Sequence, residues 1–355
     1  SNGVNCAFSN IVLFLSNSDD SSMGSTYVIP GNSSLPSSLT VTNSDSSIFT
    51  YSGGVGVDTS KRSVSVLKDV NGDGYDDLII GDPYKAKCYV LFGDSQSGLT
   101  NMTTGFTIHG ELDSDMTGWS VSGAGDVNND TIHDIIIGAP FAKGGMGAFY
   151  VIYGRSSSNN FDVYLNNLTS SSSSTQGFVM YGAQRSDYLG ISVSGAGDVN
   201  GDGCDDVVVG GVMTSLYFAG AAYIVYGSGG SGRSMLNSLS SISQLSTPSQ
   251  GYKLTGIGYQ YAGYSVSGAG DVNKDGFDDV LIGSSPQKPG LVATTFLVYG
   301  AASSSVTGSS VLLLNSMSAS QGVKITGAGG GMIVSYVGDV DHDGYSDMMI
   351  VDVDD

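Results

Sequence analysis

The sequence predicts an all-β protein: a β-propeller of six or seven blades, each of four antiparallel strands. Three observations predict it. An acidic loop recurs five times, as DVNGDGYDDLIIG from Asp69, DVNNDTIHDIIIG from Asp126, DVNGDGCDDVVVG from Asp198, DVNKDGFDDVLIG from Asp271 and DVDHDGYSDMMIV from Asp339. Short runs rich in Val, Ile, Tyr and Phe, bounded by Gly, Asn, Asp and Ser, recur around each loop and carry the signature of strands. No stretch of convincing 3.6-residue periodicity separates them.

Each element has its own justification. The loops start 57, 72, 73 and 68 residues apart, longer than the units of helical solenoids or of a stacked β-solenoid. Before the loop comes a small-residue run, WSVSGAG (Trp119 to Gly125), ISVSGAG (Ile191 to Gly197) or YSVSGAG (Tyr264 to Gly270). Such a run suits an innermost strand, where backbones crowd a central channel. After the loop comes its apolar continuation, then an aromatic strand such as FYVIYG (Phe149 to Gly154), then a closing run such as GFVMYG (Gly177 to Gly182). On this pattern residues 1–355 form one propeller: 1–53 a partial first blade, 54–327 four complete blades and 328–355 a partial last blade. Open blades leave unpaired strand edges, so closure by terminal strands or by a neighbouring chain is expected.

Composition narrows the function. The formal charge is -20, from 13 Lys+Arg against 33 Asp+Glu, which argues against nucleic acid and anionic membrane surfaces as partners. Hydrophobic residues make up 40% of the chain, enough for a folded core. Apolar runs such as Ile11 to Leu15 fall far short of the roughly 20 residues of a membrane-spanning helix. The chain begins Ser-Asn-Gly and reads as a mature or excised piece. Cys6, Cys88 and Cys204 have no CxxC spacing, so neither a disulfide framework nor a zinc site follows. His109, His133 and His342 stand apart from any nucleophile, and the protein is expected not to be an enzyme.

The loops carry the chemistry. Oxygen-bearing side chains fall at positions 1, 3, 5 and 9, and the carbonyl of position 7 can supply a further ligand. The candidate ligands are Asp69, Asn71, Asp73, Tyr75 and Asp77; Asp126, Asn128, Asp130, Ile132 and Asp134; Asp198, Asn200, Asp202, Cys204 and Asp206; Asp271, Asn273, Asp275, Phe277 and Asp279; and Asp339, Asp341, Asp343, Tyr345 and Asp347. Hard oxygen donors in this number suit Ca2+, which takes six to eight, in up to five sites. An EF-hand would need a Glu at position 12 and a following helix; here position 12 is Ile or Val and a strand follows. A lone loop of this kind is usually a turn, but turn chemistry does not require three carboxylates packed together five times. Gly at position 6 permits the tight turn, and Thr131 departs from it. Cys204 contributes only its carbonyl at position 7.

These loops resemble the FG-GAP repeats of integrin α-subunit propellers. The GAP element is literal at Gly138-Ala139-Pro140 and approximate at Gly81-Asp82-Pro83; the FG element is read at Trp119-Ser120, Leu189-Gly190 and Gly263-Tyr264. The resemblance covers residues 48 to 350 and implies Ca2+ between the first two strands of a blade, in a secreted or surface protein. The expected function is a non-enzymatic extracellular calcium-binding propeller for adhesion or structural assembly, as a unit of a glycosylated surface filament. The alternatives are a carbohydrate- or protein-binding head and an accessory domain of a larger secreted enzyme. Partners would be proteins or glycans at the cell surface, including copies of the chain itself, with no direct membrane insertion. N-glycans are expected at Asn32, Asn101 and Asn167, and Ser170 to Thr175 and Ser228 to Ser234 are candidate O-glycan loops. A glycan on Asn129 would crowd a metal loop.

Overall fold

Each acidic loop of the four complete blades runs straight into a strand that is buried along its whole length. The computed structural model describes residues 63–93, 104–156, 162–168, 176–213, 216–229, 239–245, 247, 249–286, 288, 290–302, 311–327 and 331–353, with three strands nearer the N-terminus. Those three are β1 (Ile11–Leu15), β2 (Ser25–Ile29) and β3 (Phe49–Ser52), an antiparallel sheet in that order. The first complete blade is β4 (Ser63–Leu67), β5 (Asp77–Asp82), β6 (Lys87–Leu91) and β7 (Gly105–His109). The second is β8 (Ser120–Gly125), β9 (Asp134–Ala139) and β10 (Ala148–Ile152), followed, after a short strand β11 (Val163–Tyr164), by β12 (Gly177–Tyr181). The third is β13 (Ser192–Gly197), β14 (Asp206–Gly211), β15 (Ala221–Val225) and β16 (Gly251–Thr255). The fourth is β17 (Ser265–Gly270), β18 (Asp279–Gly283) and β19 (Thr294–Val298), then, after β20 (Val311–Leu313), β21 (Gly322–Thr326). A two-stranded sheet, β22 (Gly331–Gly338) with β23 (Asp347–Val353), follows. The protein is therefore all-β, built of four-stranded antiparallel propeller blades.

The run in each second strand is uniformly apolar, not alternating, because both faces of a blade are covered by neighbours. Ile135 and Ile137 point into the core shared with Ile79, Val90 and Ile108 of the preceding blade. Ile136, between them, points the other way, into the core shared with Val207 and Val209. The same alternation builds the next core from Val208 and Ile224 against Val280 and Ile282. The small-residue strands β4, β8, β13, β17 and β22 stand side by side in chain order, as the crowding of an inner ring demands. Their first serines lock neighbours together: Ser63, Ser120 and Ser192 donate to the carbonyls of Gly118, Gly190 and Gly263 at 2.8, 2.9 and 2.8 Å.

Two features depart from the sequence reading. The segment between the third and fourth strands reaches back to the outer strand of the preceding blade. Thus β11 pairs in parallel with β7, β20 pairs in parallel with β16, and Ser241 bridges Tyr181. Each such segment then turns through a short 3-10 helix that inserts Leu165, Ile242 or Leu314 into the interblade core. Second, the FG glycine of the second blade is Gly118, one residue ahead of the Trp119-Ser120 pair, since the carbonyls of Gly118, Gly190 and Gly263 each accept the hydroxyl of the first serine of the preceding blade. Asn167 is exposed on one of the 3-10 turns; Asn32, Asn101 and Ser170 to Thr175 lie outside the described residues.

The GAP glycine is explained by contact. A β-carbon on Gly138 would overlap the Gly190 carbonyl oxygen and the Ser120 hydroxyl. Gly138→Ala is therefore expected to destabilise the protein more than Ile136→Val, a core trimming worth about 0.5–1.5 kcal/mol; thermal denaturation of the two variants checks this.

Candidate metal centres

The loop backbone is organised by its own carboxylates. In the first loop Asp69 Oδ1 accepts the N–H groups of Gly72 and Asp73 at 2.6 and 3.0 Å, and Oδ2 accepts that of Gly74 at 2.6 Å. Asp73 Oδ1 accepts the N–H of Tyr75 at 2.9 Å, which turns the position-7 peptide. The pattern repeats: Asp126, Asp198, Asp271 and Asp339 take the N–H of position 6 at 2.7 to 2.9 Å. Asp130, Asp202, Asp275 and Asp343 take the N–H of position 7 at 2.7 to 3.1 Å.

Position 9 plays a different part. Asp77, Asp134, Asp206 and Asp279 are fully buried. One oxygen of each accepts the N–H of the position-2 valine at 2.9 to 3.0 Å. The other accepts the N–H of the glycine closing the third strand, Gly93, Gly154, Gly227 or Gly300, at 2.8 to 3.0 Å. Burial pushes the Asp77 carboxyl up to about 7, Asp134 to about 8 and Asp279 to about 7, against these hydrogen bonds; the carboxylates of positions 1 and 5 push further in the same direction. Asp206 is likewise held well above the usual carboxylate range, chiefly by burial. Several anions around one loop are thus costly without a counter-charge.

Do the residues fit a divalent cation? The donors are all oxygens, as a hard cation requires. In the third loop Asn200, at position 3, is only 4% exposed, and neither its Oδ1 nor its Nδ2 has a hydrogen-bond partner. A buried amide left unsatisfied costs about 1–3 kcal/mol, so an orphaned oxygen here points to a ligand. In the fifth loop one oxygen each of Asp339, Asp341 and Asp347 lie within 4.8 Å of one another. The residues fit. A bound cation would be held by the carboxylates of positions 1, 5 and 9, the side chain at position 3 and the carbonyl at position 7. The Cys204 thiol is buried and pushed up to about 11, mainly by that burial, which leaves it protonated and unsuited to ligation.

The sequence reading assigned no role to positions 4 and 8. Position 4 is left-handed in every loop, at Gly72, Asn129, Gly201, Lys274 and His342, with φ from 55° to 76°. Gly and Asn at three of these five places were the available signal. In the third and fourth loops position 8 reaches into the preceding blade, as described below.

Thr131 occupies position 6 of the second loop at φ 72°, a left-handed conformation that a β-branched residue resists. Thr131→Gly is expected to stabilise the protein by about 0.5–1 kcal/mol, the relief of strain exceeding the entropy of the added glycine; the denaturation midpoint reads this. Asn200→Leu should leave the cation-free protein at least as stable and remove one equivalent of Ca2+ binding, measured by calorimetric titration.

The FG-GAP repeat family matches residues 62–97, 117–152 and 262–293. The chain is 31% identical over 166 residues to integrin alpha-3 of Cricetulus griseus, covering 45% of this chain and 13% of that protein. It is 28% identical over 233 residues to integrin alpha pat-2 of Caenorhabditis elegans, covering 61% and 17%. It is 36% identical over 102 residues to human phosphatidylinositol-glycan-specific phospholipase D, covering 25% and 12%. The chain thus spans less than a fifth of the length of these relatives. The third loop, outside the matched stretches, repeats the same hydrogen bonds. This chain carries FG-GAP repeats in three places and is similar in sequence to integrin alpha subunits.

Proposed function

We propose that this is a non-enzymatic, extracellular β-propeller that binds Ca2+ in up to five loops and serves adhesion or assembly at a cell surface. The observation that carries the reading is the recurrence of one oxygen-lined loop, with its buried carboxylate, in four consecutive blades. The similarity to integrin alpha subunits supports an adhesive, surface-exposed role. Residues 1–355 would form one propeller, with the three-stranded and two-stranded sheets as incomplete blades completed by each other or by a neighbouring copy. Among the described residues no helix is long and apolar enough to cross a membrane. The calcium would be constitutive, a staple set by millimolar extracellular concentration. N-glycans at Asn32, Asn101 and Asn167 belong to the same reading.

A second reading, a recognition head for protein or glycan, is favoured by one surface feature. On the loops remote from the acidic ones, Tyr217 is 67% and Phe218 43% exposed. They pack against Tyr259 and Tyr261 with ring centroids 5.8 to 6.3 Å apart. Rigid exposed aromatics are what such recognition uses. The similarity to a phospholipase D is confined to a quarter of this chain and favours an accessory role beside an enzyme only as a third reading.

Each site held at ten times its Kd stabilises the fold by about 1.4 kcal/mol. Removing Ca2+ with EDTA is therefore expected to lower the melting temperature by several degrees, and re-addition to restore it. An unchanged melting temperature would reduce the loops to turns. Electron microscopy of the native material separates assembly from recognition: filaments support the first, isolated discs the second.

A further inference from the structure

Consecutive loops are wired to one another through position 8. The Asp205 carboxylate accepts the N–H of Asp126, the position-1 residue of the preceding loop, at 2.7 Å, and the Asp205 N–H donates to the Asp126 carbonyl at 3.1 Å. One blade on, Asp278 does the same to Asp198, at 2.9 and 3.2 Å. A third bond runs alongside each pair: Ser228 N–H to Val127 O at 2.8 Å and Ala301 N–H to Val199 O at 3.0 Å. The glycine before each gripped aspartate makes room for the grip, since a β-carbon on Gly125 or Gly197 would overlap the Asp205 or Asp278 carboxylate. Between the first two loops both partners change together. Lys68 stands in the glycine's place and His133 in the aspartate's, so the carboxylate grip on the position-1 N–H is missing, while the backbone bonds from His133 N–H to Asp69 O at 3.3 Å and from Arg155 N–H to Val70 O at 3.0 Å remain.

We propose that the second, third and fourth loops take up cations as a coupled row, with Asp205 and Asp278 as the positioning residues that transmit occupancy between them, and that the first loop stands outside the row. Residue 205 lies between the position-7 carbonyl of Cys204 and the position-9 carboxylate of Asp206. Whatever immobilises the third loop therefore immobilises the group that clamps the Asp126 peptide from both sides, and with it the first ligand of the second loop. Ordering one loop lowers the entropy that the next must lose, and the coupling is reciprocal. The proposal rests on the cation reading above, for which the orphaned Asn200 amide is independent support.

The test is a CaCl2 titration of the full chain by amide NMR. The N–H groups of Gly74, Thr131, Gly203, Gly276 and Gly344, each bonded to the position-1 carboxylate of its own loop, report each loop separately. Asp202→Ala disables the third loop. The expected result is that the midpoints of Thr131 and Gly276 move to at least about five-fold higher Ca2+, while Gly74 does not move. Asp205→Asn, which keeps the acceptor oxygen, should preserve the effect on Thr131; Asp205→Ala should abolish it. Midpoints of Thr131 and Gly276 unmoved by Asp202→Ala would overturn the coupling and leave the cation reading intact. Amides that respond to no Ca2+ at all would overturn both.

Discussion

A buried aspartate that accepts two backbone N–H groups is the interaction on which each blade depends. At Asp134 one oxygen closes the acidic loop through Val127 and the other ties down Gly154 at the end of the third strand. A single side chain thus joins the loop, the second strand it introduces and the third strand beside it. The carboxylate is drawn out of water by the apolar blades packed on either side. Backbone dipoles pointing at it offset only part of the cost of burying its charge, and a cation in the loop would compensate what remains. Packing and the charge of the loop therefore meet in one residue per blade.

From that point the propeller is built by repetition. Uniformly apolar second strands require cover on both faces, and identical neighbours supply it, so each core is shared between two blades. Close approach of backbones follows, and it is what the glycines and first serines of the inner strands serve. The parallel strands β11 and β20 add an outer tie to the same interfaces. A stack held at its inner strands, its cores and its outer rim gives neighbours little freedom to move independently.

Much of this was legible in the sequence because it is local. Oxygen donors at alternate positions of a nine-residue loop, a strand of Ile and Val after it and a small-residue strand before it are all patterns within about 25 residues. The left-handed position 4 was less legible, since Lys274 and His342 occupy it without a glycine to mark the need. The grip of Asp205 on Asp126 was hidden for another reason. Its partners lie 79 residues apart, and an aspartate beside the position-9 aspartate reads as one more loop charge.

By itself the sequence determined the unit: its four strands, its acidic loop, the oxygen donors in that loop and the family it resembles. Backbone propensity, side-chain period and donor chemistry act over a few residues, so one copy of the repeat suffices to express them. Only the tertiary structure decided how units join: which serine meets which carbonyl, which segment crosses to the preceding blade, and which aspartate clamps its neighbour's loop. Those contacts form between residues about 55 to 80 positions apart, and their geometry exists only once the blades have stacked.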